Sequence, residues 1–250
     1  MHNWLLLVLL IAILSCASSA DTPRGFLAKS IKLGGKDIKY VVYVPPAYDP
    51  SKPNPTIISL NGKGECGTDG FRQVFHLGGA IMLSMEKWPF IILFPQKQYA
   101  LAEWEEHPWE DQDDMVMAIL KKSEEEYKID KSRLYLTGLS QGGHGTWAIA
   151  AKHPDLFAAI APICGWGDKS QAEKAAKLPI WTFHGDADTT VLPARSQQMV
   201  DWVKEAGGSP KLTIYPGVGH NAWDKAYREE ELPGWFLEHS NCRTPLNHVP

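Results

Sequence analysis

The 250-residue chain is expected to form one α/β domain, with a mostly parallel sheet covered by helices on both faces. Three observations predict this. Strand-length apolar runs alternate with helix-length amphipathic stretches through most of the sequence. The runs are nearly continuous in β-branched and apolar residues, as strands buried on both faces require. The residues with chemical potential fall just after the runs, at the carboxyl ends of strands where open parallel sheets bind ligands.

From the N-terminus, residues 4–14 form an eleven-residue apolar run followed by Ser15-Cys16-Ala17-Ser18-Ser19-Ala20 and then Asp21. The run is too short to cross a bilayer. It matches the apolar core of a secretory signal peptide, with Ser18 and Ala20 at the small positions before a cleavage site near residue 20. The basic n-region is absent, since the first Lys or Arg is Arg24. Ile13-Leu14-Ser15-Cys16 partly matches a lipoprotein signal, so lipid anchoring at Cys16 is a second reading and a buried N-terminal helix a third. The expected organisation is a signal at 1–20, a single α/β domain at 21–240 and an exposed tail at 241–250, which carries two prolines and no apolar period. Localisation is expected to be secreted or periplasmic.

Strands are expected at 39–44, 56–60, 90–94, 134–137, 158–162, 180–183 and 211–215. Helices are expected at 71–85, 111–127, 142–153, 194–206 and 224–239. A 44% hydrophobic and 22% charged composition is that of an ordinary globular chain, large enough for one core. A net charge of -4 with no Lys/Arg run gives no field for phosphate backbones, so nucleic acid is not an expected partner. Without the signal, Cys66, Cys164 and Cys242 remain, with no C-x-x-C spacing and no His-rich partner segment, so a zinc or iron–sulfur site is not expected; no other metal or cofactor is expected either. A disulfide between two of them and three incidental thiols are both open readings.

The most informative segment is Gly138-Leu139-Ser140-Gln141-Gly142, between an apolar strand and a small-residue helix. In G-x-S-x-G the serine sits on a strained strand-to-helix turn, and side chains at the two glycine positions would meet neighbouring backbone. A serine hydroxyl becomes a nucleophile when an imidazole takes its proton and a carboxylate orients that imidazole. His144 and His153 belong to the nucleophile helix, and His184 ends a buried strand. His220, in the Gly-rich loop Gly217-Val218-Gly219-His220-Asn221, is the expected base. Asp186 and Asp188 compete for the acid; Asp224 reads as a helix N-terminal residue. The oxyanion hole needs two backbone N–H groups, expected from Gln141 and from Lys63 in Asn61-Gly62-Lys63-Gly64.

Five stretches carry a wider likeness: LNGKGECG at 60–67, LYLTGLSQGGHGTW at 134–147, HPDLFAAIAPICG at 153–165, PIWTFHGDADTTV at 179–191 and YPGVGHNAW at 215–223. On these the chain resembles the α/β-hydrolase superfamily over roughly residues 38–238. The likeness is to its secreted carboxylesterase, feruloyl-esterase-like and prolyl-oligopeptidase-like "predicted peptidase" branch, with relatives among polyhydroxybutyrate depolymerases and phospholipase/carboxylesterases. The resemblance implies that Asp188, the last position of an H-G-x-x-D stretch, is the triad acid, that His220 is the base, and that Lys63 lies in the oxyanion loop. Two positions depart from the pattern: Asn61 stands where His commonly precedes the glycine, and Gln141 where Met often follows the nucleophile.

The acidic and aromatic segment 103–111, with Trp104 and Trp109, reads either as an aromatic rim to the pocket or as an acidic helix entry with its tryptophans packed below. Trp104, Trp166 and Trp223 are the candidate substrate-binding residues. The expected activity is cleavage of a small-molecule or polysaccharide-linked ester, acetyl or feruloyl, through an acyl-enzyme. The alternatives are a serine peptidase of the prolyl-oligopeptidase type and a non-catalytic carbohydrate-binding protein on the same fold. Activity is expected to fall as pH drops through the histidine range.

Overall fold

The computed structural model describes residues 22–98 and 108–241. The expected signal segment, Cys16, Trp104, Cys242 and the tail beyond residue 241 lie outside the described residues. Eight strands form one sheet in the order β1-β2-β4-β3-β5-β6-β7-β8: β1 (Gly25–Leu33), β2 (Lys36–Val44), β3 (Asn54–Leu60), β4 (Ile91–Pro95), β5 (Ile129–Leu139), β6 (Ala159–Ile163), β7 (Trp181–Gly185) and β8 (Lys211–Tyr215). β1 pairs with β2, and β2 with β4, in antiparallel fashion; every later pairing is parallel. The mostly parallel sheet is therefore as expected, with a hairpin added at one edge.

That hairpin strand, β1, was not expected from the sequence. Its burial alternates between partly buried and exposed positions along Lys29-Ser30-Ile31-Lys32, which is edge-strand chemistry. Gly34 and Gly35 turn the chain with φ of 56° and 78°, the two positive angles of a two-residue hairpin that glycine adopts without strain.

Among the described residues, seven helices cover the sheet: α1 (Phe75–Leu83), α2 (Asp113–Glu126), α3 (Gln141–Lys152), α4 (Lys169–Ala175), α5 (Ala194–Glu205), α6 (Trp223–Arg228) and α7 (Leu232–Leu237). Strand side chains alternate between faces. Tyr40, Val42 and Val44 join an apolar cluster with residues of α2, α3, α4 and α5. Val41 and Tyr43 point the other way and pack with Leu77 and Ile81 of α1, Tyr227 of α6, and Leu232 and Phe236 of α7. The result is three layers with a core on each side of the sheet.

Two helix expectations need correction. The stretch 224–239 is two helices, because Pro233 sits in the first turn of α7, where its missing N–H costs nothing but where it ends any helix arriving from upstream. The short α4 was not expected; it is set by a capping box in which Asp168 accepts from the Gln171 backbone and Gln171 reaches back to the Asp168 N–H.

Candidate active site

Ser140 lies between the end of β5 and the first residue of α3, with φ 54° and ψ -116°. A non-glycine residue there carries strain on the order of 1–3 kcal/mol, and its neighbours enforce it. The Ser140 N–H donates to the Ile163 carbonyl at the end of β6 (2.9 Å), and the Ser140 carbonyl accepts the first helical bond from His144 N–H (3.0 Å). A Cβ at Gly138 would lie 2.3 Å from the Gly142 carbonyl oxygen, and one at Gly142 would lie 2.2 Å from the Leu60 carbonyl oxygen. Both glycines are required by close backbone approach, as the motif implied.

His220 follows β8 on the loop that leads into α6. Its Nε2 lies 2.8 Å from Ser140 Oγ, and its Nδ1 lies 2.7 Å from Asp188 Oδ2. Asp188 is 2% exposed, on the turn after β7, and its Oδ1 accepts from the backbone N–H groups of Thr190 (2.8 Å) and Val191 (3.0 Å). Burial pushes this carboxyl up, but the bonds from His220, Val191 and Thr190 outweigh it and hold it below the ordinary range. An ionised carboxylate only accepts, so Nδ1 carries the imidazole proton and Nε2 presents its lone pair to the serine hydroxyl.

Asp186, the competing acid, has a different task. Its Oδ1 accepts from Gly217 N–H at 2.6 Å, and Ala187 N–H bonds to Val218 O at 3.0 Å. The turn that carries Asp188 is thus stitched to the loop that carries His220. Asp224 lies in the first turn of α6, as read from the sequence.

His184 is fully buried. Its Nδ1 meets Ser196 Oγ (2.7 Å), and its Nε2 lies 2.8 Å from Val191 O and 3.2 Å from Asp188 Oδ2. Burial lowers its affinity for a proton. It ends a buried strand with both ring nitrogens engaged, and it touches Asp188 from the side away from the pocket. Cys164 adopts φ 48°, donates its thiol to His220 O (3.4 Å) and is pushed up to about 12 by burial and then by the Asp188 charge. Cys164, His184 and Asp188 bring ligand-type atoms within 4.8 Å of one another, and each of these atoms is engaged in the bonds just described.

Across the pocket, Lys63 opens a 3-10 turn, Lys63–Glu65, after β3. Asn61 anchors that loop. Its Nδ2 donates to Gly62 O (2.7 Å), its Oδ1 accepts from Lys97 N–H (3.1 Å), and its carbonyl accepts from Trp109 Nε1 (3.1 Å). The departure at Asn61 therefore supplies a side chain that both donates and accepts within the loop. Trp109 is fully buried, which agrees with the helix-entry reading of that end of the segment. Cys66 is buried in the same loop, with its thiol 3.7 Å from Gln141 Oε1; burial raises its pKa. Cys66 and Cys164 are both free thiols.

A pocket of about 1000 Å³ opens over Ser140, walled by Lys63, Gln141, Trp166, His220 and Trp223 among others. The expected site residues Ser140, His220, Asp188, Gln141, Lys63, Trp166 and Trp223 are all brought to this one edge of the sheet. Local spacing carries no signal for Thr190 and Val191, which donate to Asp188 through backbone amides, nor for Leu192 and Arg195, which also line the pocket.

The dienelactone hydrolase family model matches residues 94–231 of the chain. The carboxylesterase SOBER1 of Arabidopsis thaliana is 34% identical over 98 residues, which cover 37% of this chain and 43% of that protein. A probable acetylxylan esterase A of Aspergillus flavus is 25% identical over 171 residues, covering 64% of this chain and 56% of that one. The chain therefore spans about half the length of these relatives. The crystal structure of a thermostable esterase, 33% identical, superposes with a TM-score of 0.76 over 86% of this chain and 63% of its own. The strand order, the strained Ser140 turn and the family match over more than half of the sequence agree: the chain belongs to the dienelactone hydrolase family, with its α/β-hydrolase fold.

Proposed function

We propose that the protein is a serine hydrolase of carboxylic esters. The observation that carries this reading is the unbroken relay from Ser140 Oγ through His220 to Asp188, with contacts of 2.8 and 2.7 Å. Ser140 attacks the ester carbonyl while His220 Nε2 takes the hydroxyl proton, and Asp188 stabilises the imidazolium that forms. The backbone N–H groups of Gln141 and Lys63 receive the oxyanion; one such donor is worth about 10²–10³ in rate. Collapse of the tetrahedral intermediate breaks the C–O bond to the alcohol, which leaves with the proton from His220. Water then adds to the acyl-enzyme, giving its proton to His220, and Ser140 departs carrying that proton back.

The substrate is proposed to be a small-molecule or polysaccharide-linked ester with an acetyl or feruloyl acyl group. Trp166 and Trp223 beside Ser140 support it, since indole faces accept both sugar rings and phenolic acyl groups. The acetylxylan esterase among the relatives supports it too. The run at residues 4–14 supports export through a signal peptide.

The test is an ester panel from acetyl to feruloyl to longer acyl chains, with Ser140→Ala as control. Ester turnover that vanishes in the variant, with the fold retained, is the expected result. Turnover that survives the substitution would place the nucleophile elsewhere, and cleavage of prolyl peptides without ester hydrolysis would make the protein a peptidase.

A further inference from the structure

His144 is not part of the relay, yet it stands one turn along the nucleophile helix with both ring nitrogens engaged. Its Nδ1 lies 3.0 Å from the Trp166 carbonyl oxygen, and its Nε2 lies 2.9 Å from Glu110 Oε1. The imidazole also stacks on the Trp166 indole, with centroids 5.0 Å apart and planes 11° apart. A carbonyl and an ionised carboxylate only accept, so both nitrogens donate and the ring is an imidazolium against an indole face. Burial alone would push the His144 pKa down, but Glu110 outweighs it and the net direction is up; Glu110 is correspondingly held low.

Trp166 needs such a clamp. It lies between Gly165 and Gly167, on the segment that joins β6 to α4, so its backbone has little stiffness of its own. On one side Gly165 O accepts from Ser196 Oγ (3.3 Å). On the other, Gln171 of the α4 capping box donates to the same Glu110 oxygen that holds His144 (3.3 Å).

We propose that His144 is a positioning residue: with Glu110 it fixes the Trp166 indole as the pocket wall against which a planar group of the substrate packs. This rests on the ester-hydrolase reading of the pocket. The cation behind the indole draws π density toward itself, which suits the pocket side to an electron-rich ring such as a hydroxylated or methoxylated aryl acyl group.

The experiment compares methyl ferulate with ethyl acetate, following acid release, in the wild type and in His144→Ala, Glu110→Gln, Trp166→Ala and the His144→Ala/Trp166→Ala double variant. For methyl ferulate, His144→Ala should raise KM about tenfold while kcat changes far less, the scale expected when one stacking contact is lost. Glu110→Gln, which keeps an acceptor for the imidazole, should raise it less. In the Trp166→Ala background the His144 substitution should add less than about twofold, because its action passes through the indole. The inference is overturned if KM for methyl ferulate stays within twofold in His144→Ala, if the effect persists undiminished without Trp166, or if kcat for both esters falls together with the melting temperature. A wild type that hydrolyses neither ester would instead remove the hydrolase reading, and this inference with it.

Discussion

Replacing Asp188 with asparagine keeps the shape of the acid and reverses the information it gives to His220. Two backbone amides, Thr190 and Val191, donate to Oδ1, so the asparagine oxygen must occupy that side and its NH₂ must face His220. Turning the amide the other way would set NH₂ against both N–H groups, at about 1–3 kcal/mol for each lost bond. His220 Nδ1 must therefore accept, which puts the ring proton on Nε2, where it faces Ser140 and blocks proton transfer. Regaining the working tautomer costs roughly 4 kcal/mol, two such bonds, which at 1.36 kcal/mol per decade is about a thousandfold in kcat. The assay is p-nitrophenyl acetate turnover alongside circular dichroism to confirm the fold. Activity within tenfold of wild type would refute the argument that Asp188 works by fixing the tautomer.

Gly142→Ala should overpack the nucleophile turn, since the new Cβ would lie 2.2 Å from the Leu60 carbonyl oxygen; a loss on the order of 3 kcal/mol is expected from denaturant titration, and an unchanged midpoint would contradict the close approach. His184 is held neutral by burial, so below the ordinary imidazole pKa of about 6.5 the unfolded chain takes up a proton that the folded chain refuses. Stability should therefore fall as pH drops from about 6.5 toward the lowered folded value, and a His184→Gln variant should show a shallower slope of melting temperature in that window. An identical slope would mean that His184 is not the group responsible.

Seven of the eight strands were legible because they are short, mainly apolar or β-branched runs, the antiparallel β2 and the partly exposed β8 included, while β1 was not, since Lys29 and Lys32 interrupt its pattern at the sheet edge. Gly34-Gly35 was the available signal for that hairpin. The seven-residue α4 is too short for helical periodicity to register, although Asp168 and Gln171 spell its capping box. At the site, the side chains that come together and the loops that flank them were readable, whereas the contacts made between those loops were not. Ser140 and His220 followed from motif and loop composition, and Asp188 was separated from Asp186 only by family resemblance. The structure supplies the physical difference: Asp188 is 2% exposed and turns inward to His220, whereas Asp186 is exposed and binds the loop at Gly217. The roles of Asn61 as loop anchor and of Thr190 and Val191 as donors to the acid arise from tertiary contacts that leave no trace in local spacing.

The central claim is that His220 and Asp188 make the Ser140 hydroxyl a nucleophile. Its most direct test is reaction of the intact protein with a fluorophosphonate, followed by peptide mass mapping. A single adduct on Ser140, absent from His220→Ala at the same exposure, is the expected result. Labelling at any other residue, or equal labelling of Ser140 without the imidazole, would contradict it.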